Sequence, residues 1–220
     1  GAQAMGDEEA LHFAYYYGLS LDTTFTGDDN LNVVIEAGNN PNTAVLGTTG
    51  LDFGSSSADA LTVVDLNYAR SFGDVNLIVG DSLDISSMFD NACTYSGFHT
   101  TLSDCGTGAS AGAAGNVTLS GNYDLGNGFT LGAGISSVND AADTASLGLF
   151  TKEGQDMYAF NLAYGADDYG LAISYANQGT GLIGGGLTAE TVYWGLNGYY
   201  SFNSFIDSIS VGYETGNPSV

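Results

Sequence analysis

Positive charge is almost missing from this chain. Arg70 and Lys152 are its only Lys or Arg, against 25 Asp and Glu, for a formal net charge of −23. Binding a nucleic-acid backbone needs Lys and Arg to neutralise phosphates, so that class of partner is excluded. Proline is also scarce, with 2 residues, while glycine reaches 33. That balance disfavours both a disordered tail and a collagen-like chain. No apolar run reaches the roughly 18 residues of a membrane-spanning helix, although spanning strands need no such run. The opening GAQAMGDEEA lacks a charged start and an apolar core, so it is no signal peptide. An exported chain of this kind is expected to have lost one or to be a fragment. The only cysteines are Cys93 and Cys105. An even pair in a Gly/Ser/Thr-rich stretch predicts a structural disulfide of an exported protein, restraining its loop by about 3 kcal/mol. Free or catalytic thiols are the rival reading, and no Cys-x-x-Cys spacing or neighbouring cation supports it.

What the chain has in quantity is two-residue alternation. In 156–164, Tyr158, Phe160, Leu162 and Tyr164 fall on one parity, and Met157, Ala159, Asn161 and Ala163 on the other. In 117–125, Val117, Leu119, Tyr123 and Leu125 alternate with Thr118, Ser120, Asn122 and Asp124. In 129–136, Phe129, Leu131, Ala133 and Ile135 alternate with Thr130, Gly132, Gly134 and Ser136. Strand side chains point to opposite faces at period two, so these are two-faced strands. A soluble sandwich usually wets its outer face with Lys, Glu and Arg. Here the polar face is Gly, Ser, Thr, Asn and Ala, which suits a wall between lipid and a watery lumen.

Five hairpins follow. Strand 11–25 turns at 27–30 into 31–37, and 60–71 turns at Gly73-Asp74 into 75–79. Strand 116–125 turns at Gly126-Asn127-Gly128 into 129–137, and 155–165 turns at 166–168 into 169–175. Strand 190–202 turns near Asn203-Ser204 into 205–213. Asn, Asp and Gly supply the positive φ such turns require. The connections between hairpins are longer: 39–59, 83–115, 138–154 and 178–189. Short turns at one end and long loops at the other describe an outer-membrane barrel. Phe25, Phe72, Tyr123, Phe129, Tyr164, Tyr169, Tyr200, Phe202 and Phe205 gather beside the short turns. They predict an aromatic girdle at headgroup level, where the bland alternative is the ordinary strand preference of Tyr and Phe. Ten strands in all are expected.

No constellation for catalysis or metal binding emerges, and no cofactor or metal is expected. His12 and His99 have no partner at ligand spacing. Asp28-Asp29 and Asp167-Asp168 depart from an EF-hand pattern and read as turn residues. The run GLIGGG at 181–186 is not set between a strand and a helix, so it is no phosphate cradle. No serine sits in a nucleophile elbow. The better candidates belong to a channel. Glu36, Asp65, Asn67, Asn122, Asp124 and Asn161 share the polar parity of their strands and are candidate pore-lining residues, either wetting the wall or binding a solute. Loop 83–115 has two readings, an outward loop or an inward constriction charged by Asp84, Asp90 and Asp104. Arg70 has the lipid-facing parity but adjoins a turn, within reach of headgroups. The acidity itself has two readings, adaptation to a saline medium or a lumen that concentrates cations.

The stretch Leu61-Thr-Val-Val-Asp-Leu-Asn-Tyr-Ala-Arg70-Ser-Phe-Gly-Asp-Val-Asn-Leu resembles cyanobacterial outer-membrane porins. So do Tyr17-Gly-Leu-Ser-Leu-Asp-Thr-Thr-Phe-Thr-Gly-Asp and Leu149-Phe-Thr-Lys-Glu-Gly-Gln-Asp-Met-Tyr-Ala. That family comprises the carbohydrate-selective porins, often labelled iron-uptake porins, and the resemblance runs from about residue 11 to 214. The loop from Cys93 to Cys105, continuing into Gly106-Thr-Gly-Ala-Ser-Ala-Gly, looks like marine members. The resemblance implies a signal peptide, an S-layer-homology segment, a helical linker and a barrel of roughly sixteen strands. The chain is then expected to be one partial barrel domain over 1–220, without the front segments or the closing strands. The expected fold is all-β, an antiparallel up-and-down transmembrane β-barrel with about ten of those strands. Its expected work is passive diffusion of small hydrophilic solutes (ions, sugars or iron), with a cation preference, in the cell outer membrane. Outer-membrane lipid and the solutes are the expected partners, and a homotrimer is the candidate assembly. The alternative is a secreted all-β adhesin or surface-layer module.

Overall fold

The computed structural model describes residues 15–40, 55–57, 59–90, 116–137, 148–152, 154–180, 182–183, 186–187, 189–202 and 208–218. Its strands are β1 (Tyr16–Thr23), β2 (Asp29–Asn40), β3 (Ser55–Ser56), β4 (Thr62–Phe72), β5 (Val75–Leu83), β6 (Asn116–Gly126) and β7 (Phe129–Ser137). They continue with β8 (Asp156–Gly165), β9 (Tyr169–Gln178), β10 (Leu182–Ile183), β11 (Gly186–Leu187), β12 (Thr191–Ser201) and β13 (Ser208–Pro218). Ten of them form one antiparallel up-and-down sheet in the order β1-β2-β4-β5-β6-β7-β8-β9-β12-β13, with the short β3 paired to β2. β10 and β11 pair only with each other. Among the described residues there is no helix, and β1 and β13 are the two edges of the sheet. The expected all-β meander and its ten strands are therefore present.

Turn chemistry explains the hairpins. Phe72 pairs with Val75 around Gly73 (φ 66°), a Gly-first two-residue turn. Gly126 pairs with Phe129 around Asn127 (φ 53°) and Gly128 (φ 83°), the all-positive turn that Asn-Gly favours. The first hairpin departs from expectation. Its strand ends at Thr23, not at 25, and the chain re-enters a strand at Asp29. The cause is Asp29, whose carboxylate accepts from Thr24 Oγ1 (2.8 Å), Phe25 N (3.0 Å), Thr26 N (2.8 Å) and Tyr68 Oη (2.8 Å). One buried acid thus closes a five-residue turn over 24–28.

The two faces of the sheet differ sharply. Met157, Ala159, Asn161 and Ala163 of β8 are buried, while Tyr158, Phe160 and Leu162 between them are 42–51% exposed. The same holds in β9, where Ala172, Ser174 and Ala176 are buried and Leu171 and Ile173 are bare. Over β8 and β9 the polar and small face is therefore the covered one and the apolar face is bare, whereas every residue of β1 is exposed. A β-bulge between Val34 and Ile35 sets Val64 out of the β2–β4 register. It lets Val63 and Leu66 both stand on the bare face.

Aromatics border that bare face at both ends. Beside the turns, Phe129 and Tyr164 lie 4.7 Å apart, Tyr164 and Tyr169 5.8 Å, and Tyr200 and Phe202 4.9 Å between ring centroids. A second row, absent from the sequence-based expectation, lies toward the loop ends: Tyr158, Tyr175 and Trp194, with 4.9 Å between the last two rings. Tyr158 and Tyr164, Tyr175 and Tyr169, and Trp194 and Tyr200 are each six residues apart, about 20 Å along a strand. Phe160, Leu162, Leu171, Ile173 and Leu196 fill the band between the two rows. Phe205, the remaining aromatic expected at the turn end, lies outside the described residues.

Candidate functional site

The covered face is built from carboxamides, hydroxyls and carboxylates, brought into line by the strand register. Asn32 faces Asn67, Asn76 faces Asn122, and Asn161 faces Ser174 across neighbouring strands. Asn32 donates to Asp22 (2.9 Å) and Ser20 (2.6 Å), Asn67 to both oxygens of Asp65 (3.1 and 3.0 Å), and Asn76 to Asn122 (2.8 Å). Asn161 donates to Ser174 (2.9 Å) and is buried. Each amide carries both donors and acceptors, so the face can exchange hydrogen bonds with water, hydroxyls or hydrated ions.

All six candidate pore-lining residues stand on this face. Glu36 accepts from Tyr16 Oη (2.8 Å), and Asp65 is tied to Asn67. Asp124, which is exposed, accepts from the Gly126 amide (2.7 Å). Asp22 joins them through its cross-strand partner Asn32. With Glu214, whose partner Gly195 pairs with Ser174, Asp22, Glu36, Asp65 and Asp124 make five strand acids on the polar face. Arg70 lies on the opposite, bare face, and Lys152 lies in a connection between strands.

Residues 84–90, which follow β5, lie on the covered face. Thr118 Oγ1 donates to Leu83 O (2.7 Å), Ser120 Oγ to Ile85 O (2.8 Å) and Asn122 Nδ2 to Met88 O (3.1 Å). Of these three alternate side chains of β6, Thr118 holds the last residue of β5, and Ser120 and Asn122 hold the segment itself. Ile85 is fully enclosed by Met157, Ala159 and Ala176, with Phe89 and Tyr193 packed alongside. The wall has been emptied to admit it. A Cβ on Gly132 would stand 2.7 Å from Phe89, and one on Gly134 would stand 2.9 Å from Ile85. Within the segment, Asp84 Oδ1 accepts from the Ser86 amide (3.2 Å) and stabilises the bend.

The segment carries Asp90 to a recess of about 370 Å³ beside the turns, lined also by Asp124, Thr130 and Tyr199. Asp90 and Asp124 are therefore brought together, while Glu36, Asp65 and Asn67 sit across the sheet on β2 and β4. Asp104, Cys93, Cys105, His12 and His99 lie outside the described residues. Thr118, Ser120, Gly132 and Tyr199 are site residues that sequence reasoning passed over. For Thr118, Ser120 and Gly132 the only signal was the run of small and hydroxylated residues on one parity of β6 and β7.

No protein-family model matches the chain, and no curated protein matches it. Among solved structures it is similar to a mutant porin of Rh. blastica at 12% identity and a TM-score of 0.48, covering 90% of this chain and 63% of that one. The chain thus spans less than two thirds of that porin's length.

Proposed function

We propose that this chain forms part of the wall of an outer-membrane β-barrel porin through which small hydrophilic solutes diffuse. The observation that carries the reading is the bare face. Leu19, Leu77, Leu131, Leu162, Ile173, Leu196 and Val211 are 40–67% exposed on seven different strands, and over β8, β9 and β12 the apolar band lies between two aromatic rows. Water penalises apolar area by about 25 cal/mol per Å², whereas lipid does not. No second sheet covers this face among the described residues, as a soluble sandwich would require. Lipid leaves no backbone group unpaired, so the proposal includes strands that pair the edges of β1 and β13.

The opposite face would line the pore, and residues 84–90 would narrow it. Its charged side chains in inward register are acids, which favours cations over anions. The driving force is the solute gradient, so no cofactor and no catalytic step enters. The phrases in 61–77 and 149–159 support the narrower reading of a cyanobacterial carbohydrate-selective porin passing ions, sugars or iron. A homotrimer is the assembly proposed.

Planar-bilayer recording across a salt gradient, on the parent protein extracted from outer membranes, tests this. Stepwise conductance with a reversal potential on the cation side is expected, and neutralising Asp65 and Asp124 should shift that potential toward zero. A protein that stays soluble without detergent and never conducts would overturn the reading in favour of the secreted surface module.

A further inference from the structure

The bare face carries one recess next to a positive charge. A groove of about 420 Å³ is floored by Gly121 and Ala133 and walled by Leu77, Leu119, Tyr123 and Leu131. Its floor is continuous with Arg70 through the strand register: Arg70 faces Leu77, Leu77 faces Gly121, and Gly121 faces Ala133. The row climbs away from the turns. Arg70 is three positions from Gly73, whereas Ala133 is five from Gly128. One end of the groove is therefore at the level of the turn-side aromatics and the other is at mid-strand.

Arg70 is exposed, and its guanidinium lies 5.0 Å from the centroid of the Phe72 ring. The acid opposite it in register, Asp29, is 8% exposed and already accepts from four donors. In a chain with 25 acids, this is the one basic side chain on the sheet. Arg70 is not itself in the lining of the groove but stands one register step from its wall residue Leu77, whereas a comparable apolar recess of about 340 Å³ beside Gly198 has no basic residue on any of its strands.

We infer that the groove beside Arg70 binds an anionic phospholipid, its phosphate on the guanidinium and one acyl chain along Gly121 and Ala133. The inference rests on the membrane reading above. Charge complementarity selects the occupant: an apolar partner protein would leave Arg70 unmatched at the end of the groove, whereas a phospholipid matches both halves. Arg suits phosphate because its planar fork donates two parallel hydrogen bonds.

Tryptophan quenching by brominated lipids tests it on the full chain. In the double variant Leu131→Trp, Trp194→Phe, the reporter sits in the groove wall. In the unaltered chain, Trp194 reports from the opposite end of the bare face. Brominated phosphatidylglycerol should associate at position 131 about fivefold more strongly than brominated phosphatidylcholine, the increment of one basic residue at a membrane surface. The ratio at Trp194 should be near one. Adding Arg70→Gln to the double variant should bring the ratio at 131 to that of Trp194, and Arg70→Gln alone, in the chain that keeps Trp194, should leave quenching there unchanged as the check on folding. Equal ratios at the two positions, or a ratio at 131 indifferent to Arg70→Gln, would overturn the site. Loss of the preference in excess inorganic phosphate would also overturn it, by reducing the site to simple anion exchange. No quenching by either lipid at either position would instead mean that the membrane reading itself fails.

Discussion

Ile85→Ala should release residues 84–90 from the sheet without unfolding the sheet. Ile85 is fully enclosed, and its neighbours Met157, Ala159 and Ala176 belong to strands paired on both sides. These strands cannot collapse into the space left behind, so the substitution should cost about 2–5 kcal/mol, the range for enclosed Ile or Leu to Ala. That cost falls on docking, because Ile85 belongs to no strand ladder. A loss of about 3 kcal/mol raises the undocked fraction roughly a hundredfold. Hydrogen exchange reads it directly. The Ser87 and Phe89 amides, bonded to Asp84 O (3.1 Å) and Ser86 O (2.8 Å), should exchange faster by that factor. The β7–β8 and β8–β9 ladders should keep their protection. Single-channel conductance of the same variant should rise. Unchanged exchange at Ser87 and Phe89, or equal acceleration in the ladders, would refute the idea that one enclosed side chain clamps an independent segment.

Gly134→Val brings a Cβ to 2.9 Å from both Ile85 Cγ1 and Ile85 O, and overpacking of this kind costs about 1–3 kcal/mol. It should reproduce the exchange pattern of Ile85→Ala. Asp90→Asn with Asp124→Asn removes both carboxylates of the recess beside the turns and should lower cation preference in reversal-potential measurements, whereas unchanged selectivity would remove that recess from the conduction path. Leu162→Arg places a charge in the middle of the bare band and should cost about 2–4 kcal/mol of stability in lipid, measured by denaturant titration in vesicles; a neutral result would argue that this face does not meet hydrocarbon. The Asp59 carboxylate accepts the Tyr15 hydroxyl and holds that phenol above its ordinary value. This contribution is present in full below the ordinary tyrosine range and is lost as pH rises through the raised value. Asp59→Asn should bring the Tyr15 titration down, read by the NMR shift of its labelled ring.

Some of this architecture could be read from the chain because its signals are local. Strand alternation in β6, β7, β8 and β9 survives in the structure almost residue for residue, since a pleated strand has no other way to sort its side chains. The turns at Gly73-Asp74 and Asn127-Gly128 were likewise visible, because their positive φ angles select Gly and Asn. Parity also assigned Asn122, Asp124 and Asn161 to one face. The first hairpin was misplaced by a few residues because Asp29, which reads as an ordinary turn residue, gathers the Thr24 hydroxyl and the Phe25 and Thr26 amides into a wider turn. The loop-end aromatic row was overlooked because its members are distant in sequence. Tyr158, Tyr175 and Trp194 are separated in sequence and become neighbours only through two sets of strand pairing.

By itself, then, the sequence determined the class of this protein: two-faced strands, tight hairpins, and a polar face poor in charge, with its few charges acidic. Those properties depend on contacts within a few residues and on the geometry of the backbone. Only the tertiary structure decided which polar residues work together. It laid residues 84–90 on β6, placed Asp90 in one recess with Asp124, and left Glu36 and Asp65 on the same face but on β2 and β4. No local pattern encodes that choice. It follows from an enclosed Ile85, the hydrogen bonds from Ser120 and Asn122 and the space left by Gly132 and Gly134, groups that meet only once the sheet has formed.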